Sequence, residues 1–152
     1  MVEQQICTFF LKEVYFGIDV QHVQEVIRPQ AITHIPLAPS DICGLINLRG
    51  QIIAVIDLQA RLKMSEPQTQ LTTKPVDQPE GFNMIVCADD EVVSLLVDQV
   101  GDVLQFPQNT LQPPPATLKG RMRQMLAGAY PLSDGFLLVL DPKKTLNVNL
   151  TE

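Results

Sequence analysis

The side chains of this chain that could do chemistry are few, and their spacing is wrong for most of it. His22 and His34 have no second histidine or cysteine at metal-ligand spacing, so no zinc site is expected. Cys7, Cys43 and Cys87 are odd in number, form no C-x-x-C pair and lie in apolar runs. They read as small buried hydrophobes rather than disulfide partners or ligands. Ser40, Ser65, Ser94 and Ser133 have no G-x-S-x-G motif around them, and there is no P-loop or G-x-G-x-x-G. Asp19, Asp57, Asp98 and Asp141 recur at turn or helix-start positions. Paired carboxylates can do acid–base work, but one such residue per repeated position is the pattern of caps. Asp89-Asp90-Glu91 could hold a cation, although a solvated turn explains it more simply. These residues point to no catalytic group, no metal ligand and no cofactor.

The exception to this blandness is GLINLRGQIIAVIDLQARL, Gly44 to Leu62. Asn47 and Arg49 interrupt an apolar run, and Gly44 and Gly50 bracket them. Arg49 could be a dispensable turn residue, a catalytic group or a docking contact. Catalysis would need acid–base or substrate-binding companions, and none is visible. Docking fits the type, because a guanidinium makes several directed hydrogen bonds while its stem packs. Gly44 and Gly50 have two readings, turns needing positive φ or close approach by a partner helix.

Composition narrows the partner. The chain has 152 residues, a net charge of −6, 45% hydrophobic residues, two Tyr and no Trp. That length and apolar content suit one compact domain. An acidic chain without aromatic platforms is a poor match for nucleic acid or an anionic membrane surface. No run approaches the length of a bilayer span, and MVEQQICTFF lacks the basic start of a signal peptide, so a cytoplasmic protein is expected.

The elements that must position these residues are short. Ile6–Leu11 and Val14–Ile18 should form a hairpin across Lys12-Glu13. In DVQHVQEVI, Val20, Val23 and Val26-Ile27 recur at helical spacing behind Asp19, so a two-turn helix capped by Asp19 is expected over 19–27. A short edge strand is possible near Ile32–Ile35. Ile42–Leu48 and Gln51–Ile56 are strands turning at Arg49-Gly50, and Asp57 caps a short helix, LQARL. The polar Lys63–Gly81 stretch is a surface connection. Phe82–Ala88, Val92–Val97, Met125–Ala129 and Phe136–Leu140 are further strands. Asp102–Leu111 is strand and turn, Pro113–Gln124 is irregular, and DPKKTL opens a last helix with Pro142 at its first position.

The chain also repeats. Without a gap, Gly44–Leu62 matches GAYPLSDGFLLVLDPKKTL, Gly128–Leu146, placing Gly on Gly, Val55 on Val139, Asp57 on Asp141 and Leu62 on Leu146. VQEVI (23–27) matches VGDVL (100–104). A single domain over 1–152 is therefore expected, built from halves near 1–70 and 80–152 with the polar connection 63–81 between them. Many short strands and little helix suggest two small β-barrels sharing a core, with a groove where they meet. Within the repeat, Arg49 faces Ser133 and Asn47 faces Pro131, so the scaffold does not require them.

These residues resemble the signature of the CheW family, the coupling proteins of bacterial chemotaxis: roughly G-x-x-N-L-R-G, then an apolar strand ending V-x-D-L. Gly44, Asn47, Leu48, Arg49, Gly50, Val55, Asp57 and Leu58 match it. FGIDVQHVQEVI, LLVDQVGDVLQF and the triple proline Pro113-Pro114-Pro115 are also similar to family segments, so the likeness covers nearly the whole chain. Ala54, where many members have Pro, Ser94, where Gly is frequent, and the long polar connection depart from it. The resemblance implies an all-β fold of two SH3-like five-stranded barrels around a common core. It implies a non-enzymatic adaptor, cytoplasmic at membrane-associated receptor arrays. Its partners would be the regulatory domain of the histidine kinase CheA and the cytoplasmic tip of a chemoreceptor, docked in the groove between barrels. The implied docking set is Arg49, Glu25, Asn47, Gly44, Gly50, Val23, Ser94 and Val103, with a Glu25–Arg49 salt bridge holding the short helix to the turn. Within this family the runner-up is a CheW-like coupler of type IV pilus motility or another chemosensory pathway; outside it stand a ligand-binding or hydrolytic small β-barrel and an RNA-binding SH3-like barrel, the last disfavoured by the acidic charge.

Overall fold

The computed structural model describes residues 3–64 and 81–147. The polar connection expected over 63–81 therefore lies almost wholly outside the described residues. Ten strands are present among them: β1 (Glu3–Leu11), β2 (Val14–Asp19), β3 (Val23–Ile27), β4 (Ile42–Leu48), β5 (Gln51–Asp57), β6 (Phe82–Ala88), β7 (Glu91–Val97), β8 (Gln99–Pro107), β9 (Leu126–Leu132) and β10 (Gly135–Leu140). Three short helices accompany them: α1 (Leu58–Arg61), α2 (Gly120–Met125) and α3 (Pro142–Thr145).

Three local expectations need correction. Asp19–Ile27 is not a helix. Asp19 does cap, its Oδ1 accepting the Gln21 N–H at 2.9 Å, but only a single 3-10 turn over Val20–His22 follows before the chain extends into β3. The β-branched valines that mimic helical spacing gain more by pairing with β6, Val26 opposite Met84 and Ile27 opposite Asn83. The expected edge strand near Ile32–Ile35 is one bridge, Thr33 to Leu45. Pro113–Gln124 is not wholly irregular, because α2 occupies its end; Lys119 supplies no side-chain cap there, so no sequence signal announced it.

The strands form two five-stranded sheets, ordered β8-β1-β2-β10-β9 and β3-β6-β7-β5-β4. Adding five to each label in the first order, or subtracting five from β8, β9 and β10, gives the second, so the sequence repeat is a structural pseudo-twofold. The sheets do not follow the sequence halves. Each takes two strands from one half and three from the other. Both are SH3-like units, and neither ladder closes into a complete barrel.

Strand alternation divides the apolar residues among three cores. Along β10, Leu137 and Val139 face a cluster with Ile6 and Tyr130 inside the first sheet, while Leu138 and Leu140 face the core between the sheets. Along β6, Ile85 joins Ile46, Ile53 and Val55 inside the second sheet, while Met84 and Val86 face the same central core. Phe9 and Phe16 stack in that centre at 5.8 Å. Apolar pairs such as Leu137-Leu138 thus have both faces buried, which explains runs without polar alternation.

One charged group ties the two ends of the repeat. Arg61 at the end of α1 is 6% exposed. Its Nε donates to Asp41 at 2.8 Å, and its Nη1 donates to the carbonyls of Thr145 and Asn147 at 2.7 and 2.8 Å. Removing one member of a buried pair leaves the other charge uncompensated. Arg61→Ala is expected to lower unfolding free energy by about 3–5 kcal/mol, measured by urea denaturation. A loss below about 1 kcal/mol, the range of surface pairs, would refute this account.

Candidate functional site

Arg49 stands on a hairpin that the backbone strains to make. Arg49 and Gly50, at φ +52° and +89°, form the two-residue loop between β4 and β5. Positive φ at both loop residues is a type I′ turn, for which Asn-Gly is the favoured pair. Lys12-Glu13 and Asp89-Asp90 turn in the same way. In the counterpart turn between β9 and β10 the positive φ falls on Gly135 instead. Asn47 explains how an arginine is tolerated: its Oδ1 accepts the Gly50 N–H at 2.9 Å and closes the turn from the side.

The Arg49 guanidinium donates from Nη2 to Glu25 Oε2, forming a salt bridge. Glu25 belongs to a strand rather than a helix, so the bridge holds the β4–β5 turn against β3. The arginine side chain is 68% exposed and the glutamate 32%. Solvent screening limits such a pair to about 0–1 kcal/mol of stability. The pair therefore does little for the fold and leaves a directed positive group at the surface. Ile52, 61% exposed, lies opposite Asn47 on β5, and Val26, 36% exposed, follows Glu25 on β3. The signal for Ile52 was the Ile52-Ile53 doublet, whose members must face opposite ways; Ile53 is 1% exposed.

The other expected docking residues separate. Ser94 is fully buried on β7, its Oγ accepting the Asn83 Nδ2–H at 2.8 Å, so its hydroxyl is engaged inside the sheet rather than at the surface. Gly44 is buried too. A Cβ there would lie 2.2 Å from the Thr33 carbonyl, so the close approach is made by the chain's own 33–45 bridge rather than by a partner helix. Gly50 serves the turn, with open space where a side chain would be. Val23 is half-buried against the central core. Val103 is 52% exposed but lies on β8 of the other sheet, the repeat counterpart of Val26.

The recurring aspartates considered for chemistry have structural partners. Asp19, Asp57, Asp98 and Asp141 each accept a backbone N–H, from Gln21, Ala60, Lys12 and Lys143. His22 Nδ1 is 2.9 Å from the Cys87 carbonyl, and His34 is exposed in a loop. Among the described residues no group of three His, Cys, Asp or Glu side chains is arranged to hold a metal. No helix among them is long and apolar enough to cross a membrane.

With this geometry in place, the CheW-like domain model matches residues 5–149. The chain belongs to the CheW-like domain family. It is similar to the chemotaxis protein CheW of Treponema pallidum, 31% identical over 140 residues covering 92% of this chain and 80% of that one. It is also similar to the CheW of Klebsiella aerogenes, 31% identical over 147 residues covering 96% and 83%. Among solved structures, the scaffolding protein TtCheW of Thermoanaerobacter tengcongensis superposes with a TM-score of 0.75 at 29% identity, covering 92% of this chain and 90% of that one. The CheW-like sheet pair seen here is thus the fold of a scaffolding protein, matched over almost the whole chain.

Two outcomes follow for the residues around the turn. Gly44→Ala should destabilise by about 1–3 kcal/mol in urea, since strain at a positive φ adds to a clash with backbone. Wild-type stability would show that the 33–45 bridge can shift freely. Cys43 is pushed up to about 12 from 9.0, first by burial and then by Asp57 and Asp41. Its stability contribution is whole below pH 9.0 and is lost as pH rises toward 12. In the folded chain at pH 9.0, Cys43 should alkylate far more slowly with iodoacetamide than in urea, by peptide mass mapping.

Proposed function

We propose that this chain is a non-catalytic coupling adaptor of chemotaxis, holding a chemoreceptor's cytoplasmic tip together with the regulatory domain of the histidine kinase CheA. The supporting observation is the exposed Arg49–Glu25 pair on a turn braced by Asn47, with exposed Ile52 across the hairpin from Asn47, in a CheW-like fold. A charged pair that contributes little to stability but is held in one geometry suits recognition. Exposed Ile52 supplies apolar area to bury, and the guanidinium supplies direction.

The mechanism is binding. An adaptor that contacts receptor and kinase together transmits receptor state as a coupling free energy between two contacts. It would act on the cytoplasmic side of the membrane, where receptor tips and kinase meet. Asn47 has a positioning role in this reading, because without its bond to Gly50 the turn would present Arg49 less uniquely.

Arg49→Ala is expected to abolish receptor-dependent kinase control in a reconstituted mixture of receptor, CheA and this chain. The variant should still melt cooperatively within about 1 kcal/mol of wild type. Unchanged kinase control would reduce Arg49 to a surface turn residue. Loss of the folded state would make it structural and overturn the docking role.

A further inference from the structure

A second polar feature lies away from Arg49, where the two sequence halves meet beside α1 and α3. A cleft of about 430 Å³ is lined by Arg61, Lys63, Arg121 and Lys144, with Asp41 as its one acidic residue. Four of the chain's eleven lysines and arginines therefore converge on one concavity of a protein whose net charge is −6. None of Arg49, Glu25, Val23 or Val103 lines it. The repeat does not require this charge, because Arg61 and Lys63 stand opposite Thr145 and Asn147, and Lys144 stands opposite Ala60.

Arg61 is already committed to Asp41 and two carbonyls, so it forms the floor. Lys63 and Lys144 are exposed at the rim and Arg121 is partly so; none has an acidic partner within 4 Å among the described residues. Cations spread along a rim match carboxylates spaced along a chain better than one compact phosphate.

An apolar anomaly precedes the cleft's first lining residue in the chain. Pro39 lines the cleft, and Leu37, two residues earlier, is 100% exposed. Leu37 is the third residue of the Ile35–Ala38 turn, at φ +65°, behind Pro36. That position normally takes glycine or asparagine. An exposed leucine there costs the fold in backbone conformation and returns no buried area.

We propose that this cleft and Leu37 together dock an acidic amphipathic segment of a partner protein, carboxylates on Lys63, Arg121 and Lys144 and an apolar side chain on Leu37. The contact is separate from the Arg49 surface and does not depend on the function assigned to it. The probe is a fluorescein-labelled Glu/Leu amphipathic peptide, with its Gln/Leu isostere as control, read by fluorescence anisotropy.

The Glu peptide should bind wild type, and the Gln peptide about tenfold or more weaker, since a charge-assisted contact is lost at each carboxylate. Arg121→Glu with Lys144→Glu, and separately Leu37→Asn, should each weaken the Glu peptide about tenfold, while Arg49→Ala leaves it unchanged. Leu37→Asn should melt at or above the wild-type temperature, since asparagine tolerates this conformation. Equal binding of the two peptides, no binding, full displacement by millimolar inorganic phosphate, or insensitivity to the cleft variants would each overturn the proposal. A lower melting temperature for Leu37→Asn would assign the leucine to the fold instead. Loss of receptor coupling in Arg49→Ala with intact peptide binding would keep the two surfaces apart.

Discussion

The structure depends on an exchange of strands between the two halves of the chain. β3 leaves the hairpin that precedes it and pairs with β6, and β8 likewise pairs with β1. Each sheet is therefore incomplete until the other half arrives, and the central core has walls from both. Two weak half-length units become one cooperative body, because burying the shared face requires both sheets. The 3-10 turn at Val20–His22 makes the exchange possible by ending β2 and redirecting the chain within three residues. His22 then rests on the Cys87 carbonyl of the other half.

Once the exchange is made, the apolar residues have little freedom. Strands such as β6 and β10 bury both faces, so their sequences tolerate neither charge nor alternation. The places where local rules are broken stand out against this. An arginine occupies a left-handed turn position, an isoleucine of β5 faces water, and a leucine sits fully exposed in a turn that favours glycine. Local conflict with the fold marks where selection acts on something other than stability. Buried Arg61 is the opposite case, a charge placed for architecture and satisfied on three sides.

Much of this was legible before the fold was known. The hairpins across Lys12-Glu13 and Arg49-Gly50 follow from apolar runs broken by short polar turns, and Asp57 and Asp141 announce α1 and α3 as caps. The Gly44–Leu62 repeat located matching elements in both halves. The 19–27 segment reads as a helix because valines three apart satisfy a helical period, while the hydrogen-bonding edge that makes them a strand comes from β6, some sixty residues on. Gly44 has the positive φ that its type suggests, but for Gly44 and Ser94 alike, whether a small residue faces a partner or the chain's own interior depends on what packs over it. The basic cleft has no signature in the sequence because its residues are scattered from Pro39 to Asn147.

The sequence by itself determined the local vocabulary: most strands, turn residues, caps, the repeat and the motif around Asn47 and Arg49. These rest on interactions between residues close in the chain, where spacing carries the physics. Only the tertiary structure decided which strands share a sheet and that Glu25 reaches Arg49 from a strand. It also showed that Asn47 braces the turn, and that four cations meet in one cleft. Those are long-range outcomes, set by which distant edges and faces satisfy one another when both halves fold together.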